Sequence, residues 1–210
     1  MRFASHRDMM RAAARLVRRA GLPVRYSQGF NPHPILSLPC PRPVGVASRD
    51  EMLVVALAPP PPPAQAATWT ARLGRTAPHE MDVVAAAPLP HGRTPHPLSA
   101  TYEMPLAASE RPGVRRRVER LDGRRHWPAE RAVRRGTKRL DLRRLVNILH
   151  ADGGMLRWRL IPDNDIWARP AEVLRLVGLD ENTELGRVVR TEVDYGLQDT
   201  GAAGWRANGN

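Results

Sequence analysis

The strongest constraint on the fold is a helix signal that stops at a glycine and runs straight into a proline-rich stretch, between Arg2 and Ser48. At 100° per residue, Met9, Met10, Ala13, Leu16, Val17 and Ala20 fall on one side of this helix, and Arg7, Arg11, Arg15 and Arg18 on the other. Ser5 stands at the N-cap position with Asp8 three residues on, an acidic variant of the capping box. Gly21 supplies the left-handed residue that closes a helix, and Pro23 forbids continuation. The spacing therefore predicts a helix over 6–20, with one face for a core and one for anions.

Val24-Arg25-Tyr26 reads as a short strand and leads into Ser27-Gln28-Gly29-Phe30-Asn31-Pro32-His33-Pro34. Proline disfavours the α region for the residue before it, so Asn31 and His33 are biased toward extended backbone. Gly29 frees the chain for a bend. Such a loop is stiff and displays Tyr26, Ser27, Asn31 and His33, and stiff polar loops are where sites tend to lie.

Three blocks carry a resemblance: RFASHRDMMR at 2–11, RRAGLPVRYSQGFNPHP at 18–34 and LSLPCPRPVGVASRDE at 36–51. Together they resemble the signature of the radical-SAM-linked domain family of unknown function. ATYEMPLA at 100–107 and RPAEVLRLVGLD at 169–180 are similar to later landmarks of that family. The resemblance is strong at the front and loose in the middle. It implies a companion domain, fused to or encoded beside a radical SAM enzyme. A strand is expected ahead of the helix, and related sequences carry a few more residues ahead of Arg2, so either that first strand is stubby or the true start lies upstream.

The chain has 210 residues, 42% of them hydrophobic, enough for a core in one large or two small domains. Its net charge of +12 and pI of about 11.4 point to a polyanionic or acidic partner. The single cysteine, Cys40, excludes a disulfide framework. It also excludes the three-cysteine iron–sulfur site of a radical SAM enzyme, so this chain is not the radical enzyme itself. Met1 is followed at once by a charged helix, which does not read as a signal peptide, and no run approaches 18 apolar residues. The expected compartment is the cytoplasm, with no membrane partner.

Further along, Ile35–Leu38 reads as a strand, Met52–Leu57 as a buried strand and Pro59–Pro63 as a rigid connector. Ala64–Leu73 permits a helix, and Met81–Ala87 reads as another strand. The order β-α-β-β-α-β is that of a ferredoxin-like unit. Pro88–Ser99 is turn-rich and reads as a connector, and Ala100–Ala107 as a strand. Leu142, Leu145, Val146 and Leu149 follow helical spacing behind Asp141, while Met155–Ile161 alternates as a half-buried strand. Pro170 suits the first turn of a helix ending at Gly178, and Arg187–Tyr195 alternates as a final strand. The expected fold is α+β: a ferredoxin-like half over 1–87, a connector over 88–99, a basic α+β half over 100–197 and a disordered tail over 198–210. The later half is compatible with a second ferredoxin-like unit, although no internal repeat is visible.

Charge is concentrated in one window. Residues 111–144 hold 14 Arg and Lys against Glu119, Asp122, Glu130 and Asp141, leaving +10 of the +12. Arg115, Arg116, Arg117, Arg134, Arg135 and Lys138 are its expected electrostatic surface.

Among chemistries, His6, Asp8, His33 and Cys40 are metal-ligand types without a recognised spacing, so no metal and no cofactor is expected. Ser5, Ser27, His6 and His33 are the ingredients of nucleophilic catalysis, but their spacing gives it no support. Nucleic-acid binding fits better. Arg7, Arg11, Arg15 and Arg18 make a stripe of roughly 16 Å along a helix, enough for two or three phosphates. Tyr26, Phe30 and Trp127 are candidates for stacking on unpaired bases, although Tyr26 and Phe30 are equally suited to anchoring the loop in a core.

The expected site therefore comprises Ser5, His6, Asp8, Arg11, Arg15 and Arg18 on the helix, with Tyr26, Ser27, Gly29, Phe30, Asn31 and His33 on the loop. The expected function is a non-catalytic accessory module that works with a separately encoded radical SAM enzyme and binds RNA, tRNA or rRNA. Two alternatives remain open. One is a protein–protein adaptor docking the radical enzyme through its basic face; the other is a small RNA-acting enzyme using His6 or His33 as acid–base catalyst.

Overall fold

In the computed structural model, residues 2–59, 62, 65–90 and 93–199 are described. The first helix, α1, spans His6–Arg19 and is closed by both signals read from the sequence. Ser5 Oγ accepts from the Asp8 backbone N–H at 3.2 Å, the Asp8 carboxylate accepts from Ser5 N, and Gly21 takes φ of 66°. Ala12, Ala13, Leu16 and Val17 are buried on one side, while Arg7, Arg11, Arg15 and Arg18 are exposed on the other.

Beyond α1 the first half holds little regular structure. Two-residue strands β1 (Leu36–Ser37) and β3 (Val54–Val55) pair antiparallel, and helix α2 spans Ala66–Thr76. Val24–Tyr26 is not a strand: Val24 bridges Leu57 and Tyr26 bridges Pro34 as isolated pairs. The expected buried strand over 52–57 shrinks to a half-buried β3, and Met81–Ala87 forms no strand. Of the five-proline connector, Pro59 follows a cis peptide bond and Pro62 is exposed; Pro60, Pro61 and Pro63 lie outside the described residues.

The second half carries the main sheet. Its elements are β4 (Arg93–Pro105), α3 (Arg111–Asp122), β5 (Pro128–Val133), β6 (Gly136–Asp141), β7 (Val146–Asp152), β8 (Met155–Leu160), α4 (Pro170–Leu176), α5 (Glu181–Glu184) and β9 (Val189–Asp199). The sheet order is β2-β9-β4-β8-β7, where β2 is Ala47–Ser48. Without β2 and the β5–β6 hairpin, the chain order is β4-α3-β7-β8-α4-β9 with every neighbouring pair antiparallel, the split βαβ arrangement. The α+β class holds, but the ferredoxin-like unit lies in the later half and not over 1–87. Prolines and two-residue strands leave the early segment too little ladder to build four paired strands.

Three further expectations change. Residues 93–99, expected as connector, form the first half of β4 and pair with β9 alone. That leaves one edge open, where proline is tolerated, so Pro95 and Pro97 fit. The expected helix after Asp141 is a single 3₁₀ turn, Leu142–Arg144, followed by β7; Asp141 still caps it by accepting from the Arg143 N–H. Residues 198–199, expected in the tail, belong to β9, and 200–210 lie outside the described residues.

Alternation buries Leu156, Trp158 and Leu160 of β8 and Ala100, Tyr102 and Met104 of β4 against α3 and α4. Trp158 and Tyr102 are cross-strand partners, with rings stacked 5.6 Å apart.

Candidate nucleic-acid interface

The loop after α1 is closed by its own side chains. Tyr26 bridges Pro34, the Ser27 N–H donates to His33 O at 2.9 Å, and the His33 N–H donates to Ser27 Oγ at 3.1 Å. Ser27 Oγ also lies 2.9 Å from His33 Nδ1. The Ser27–His33 pair that the sequence did not support as a nucleophile is thus brought together, but as the clasp of the loop. Gln28, Gly29, Phe30 and Asn31 are presented at the tip, with the Phe30 ring fully exposed. Phe30 is therefore no core anchor, and Tyr26 is exposed as well, at 38%.

On α1, His6 is exposed and Asp8 is held by Ser5, whose hydrogen bonds keep its carboxyl below the usual range. Arg11 lies 3.7 Å from Asp8, whereas Arg15 and Arg18 have no carboxylate partner among the described residues. Among those residues, no three His, Cys, Asp or Glu side chains converge as a metal site requires.

The second block of candidates divides between two elements. Arg115, Arg116 and Arg117 lie exposed on α3, with Arg115 paired to Glu119 at 3.0 Å. Arg134 and Arg135 form the two-residue turn between β5 and β6, with Gly136 at φ of 93° behind them, and Lys138 is exposed on β6. The hairpin is tied down from the middle of β5: Arg131 reaches Glu172 of α4 with bonds of 2.6 and 2.8 Å and donates to Trp167 O at 2.6 Å. Trp127 is not available for stacking. It is buried, its Nε1 donates to Leu121 O, and Arg143 covers its ring 5.0 Å from the centroid.

Sequence reasoning missed the polar cluster where the two halves meet. Arg190 of β9 is fully buried; it donates to Cys40 O at 2.7 Å, Ser48 Oγ at 3.1 Å and Asp50 O at 3.1 Å, and lies 2.9 Å from Glu51 Oε1. Arg42, also against Glu51, donates to Arg2 O and Val46 O at 2.7 and 2.9 Å. Burial pushes the Glu51 carboxyl up despite both arginines, and pushes the Cys40 thiol up as well. Nothing in the alternation of Arg187–Tyr195 marks Arg190 as buried, and only the fold shows what that arginine meets.

Residues 1–184 match a family described as uncharacterized proteins conserved in bacteria, DUF2344. The chain belongs to this family. The family's span takes in α1, the clasped loop, the Arg42 and Glu51 side of the charged junction, α3 with the hairpin, and α4, and ends before β9, which carries Arg190. No curated protein matches the chain. Among the described residues, no helix is long and apolar enough to cross a membrane.

Proposed function

We propose that this protein is a non-catalytic accessory module that binds RNA, tRNA or rRNA, in support of a separately encoded radical SAM enzyme. The observation that carries the RNA part is the unneutralised field on α3 and the hairpin. Of its six cations, only Arg115 has a carboxylate partner among the described residues; Arg116, Arg117, Arg134, Arg135 and Lys138 have none. A surface serving solubility intersperses both signs, whereas this one is nearly single-signed, as polyanion binders are. The exposed Phe30 on a clasped loop adds a ring positioned to stack on an unpaired base. The radical SAM partner rests on the resemblance of residues 2–51.

The test is binding of labelled tRNA and rRNA fragments across a salt series. Replacing Arg115, Arg116 and Arg117 with alanine is expected to weaken binding at least about tenfold and to flatten the salt slope by about two. Arg11→Ala/Arg15→Ala tests the α1 stripe in the same way. Binding that ignores salt, or no binding at all, overturns the RNA reading in favour of the adaptor. His33→Ala with binding kept and an RNA-processing turnover lost would instead establish the enzyme.

A further inference from the structure

Beneath the exposed field lies a cavity of about 370 Å³ between the end of α3, the segment entering β5 and the end of α4. That volume lies within the range of small-molecule sites. Its walls carry Arg117, Arg120, Arg124, His126 and Arg175, around an apolar floor that includes Trp127. Two of these side chains already have carboxylate partners: His126 Nδ1 lies 2.7 Å from Asp141, and Arg175 pairs with Glu181. Arg117, Arg120 and Arg124 have no carboxylate partner among the described residues. Compensation of helix dipoles accounts for one cation in each last turn, Arg120 on α3 and Arg175 on α4, and leaves Arg117 and Arg124 unexplained.

The placement of Arg117 is built. Its guanidinium lies so close over Gly178 that a Cβ there would sit 2.6 Å from Nε, and Gly178 adopts φ of 80°. Arg120 is oriented by the 3.2 Å bond from its Nε to Arg116 O. Three guanidiniums without carboxylates, converging on one recess, match a group of two or more negative charges with several acceptor oxygens. A backbone phosphodiester carries one charge and needs no recess.

We propose that this cavity binds a phosphoryl group of at least two negative charges: a diphosphate, or a terminal phosphomonoester. The inference goes beyond the RNA reading and does not depend on it, because the group can arrive on a free nucleotide or on the end of an oligonucleotide.

The experiment is calorimetric titration of the full chain at about 100 mM salt, a concentration that screens exposed charges beyond about 10 Å. The probes are pyrophosphate, a nucleoside diphosphate, and a short RNA with either a 5′-phosphate or a 5′-hydroxyl. Arg120→Ala/Arg124→Ala is compared with Arg134→Ala/Arg135→Ala, which removes the same charge at the hairpin tip. Pyrophosphate affinity is expected to fall at least about tenfold in the first variant and to stay within about twofold in the second. Both variants lie on exposed positions, and an unchanged denaturation midpoint confirms that each is folded. Equal losses in the two variants, or no binding of any probe, overturn the proposal. Preference for the 5′-phosphorylated RNA over its 5′-hydroxyl form, abolished by Arg120→Ala/Arg124→Ala, identifies an RNA end as the source. Tighter binding of the nucleoside diphosphate identifies a free nucleotide. Pyrophosphate binding without affinity for tRNA or rRNA leaves the cavity standing and removes the RNA function.

Discussion

Beneath α1, the buried side chains Ala13, Val17 and Leu36 are surrounded by half-buried Met10, Ala14, Val24, Leu53, Val55 and Leu73. Between the main sheet and helices α3 and α4, by contrast, aromatic and branched residues from nearly every element interlock around Tyr102, Trp127, Trp158, Leu160 and Val173. The first region carries the more exact local geometry and the second carries most of the burial. Burial of apolar area supplies the bulk of folding free energy. Caps, prolines and clasping hydrogen bonds set the shape of a segment at about 1 kcal/mol each. The early region is thus a presentation surface, joined to the later core by the β2–β9 pair, by Val46 and by Arg190 against Glu51, and without a large core of its own.

The largest effects expected of this contrast are in the later core. Trp158→Ala removes a fully buried ring stacked on Tyr102 and should cost about 3–5 kcal/mol in denaturant unfolding. Leu36→Ala, in the small cluster with half-buried neighbours, should cost about 2 kcal/mol, because such a site collapses more easily. Equal costs would mean that the early region is not the weaker of the two.

The same contrast governs what the sequence could reveal. Helix α1, its capping box and the loop signature depend on residues within a few positions of one another, and local rules read them. Strand β4 was half hidden because Pro95 and Pro97 usually punctuate loops, and only pairing with β9 on one side makes them acceptable. The spacing of Leu142, Leu145, Val146 and Leu149 fits a helix over so short a window, yet β8 draws Val146–Asp152 into the sheet. The parallel β2–β9 pair joins residues 142 positions apart, such as Ala47 and Val189, and no local signal announces it. In the site, the basic window was legible as composition. The recess formed by Arg117, Arg120, Arg124 and Arg175 needs α4 packed beside α3, which only the fold supplies.

Two arginine-paired carboxylates, buried Glu172 and half-buried Glu51, offer the next sharpest test, because they respond to acid in opposite directions. Burial favours the neutral form of Glu172, but the bonds from Arg131 and the Arg169 N–H outweigh it and hold its carboxyl below the ordinary range. Its stabilising contribution is therefore fully present above the unfolded value of about 4.3 and is lost as pH falls through the lower folded value. Glu51 is held above its ordinary range, so it takes up its proton first in the folded state, and its contribution improves as pH falls. Hydrogen exchange below about pH 4 should show the β5–β6 hairpin opening before the β2–β9 junction. Glu172→Gln should reproduce that opening at neutral pH, with a loss of about 3 kcal/mol typical of a broken buried pair.

The smallest predicted effect falls on α1. Ser5→Ala removes the acceptor for the Asp8 N–H and one of the bonds that hold the Asp8 carboxylate, and should cost about 1 kcal/mol. The consequence for binding follows from position. The capping box fixes the start of the helix that carries Arg11, Arg15 and Arg18, but the buried face of Ala13, Leu16 and Val17 holds the rest of its length. Fraying of the first turn should therefore leave the arginine stripe in place, and RNA affinity should change less than about twofold while thermal stability drops. A much larger loss of affinity in Ser5→Ala would show that Ser5, His6 and Asp8 touch the RNA directly. The α1 end would then be the specific site, and the α3 and hairpin field its electrostatic support.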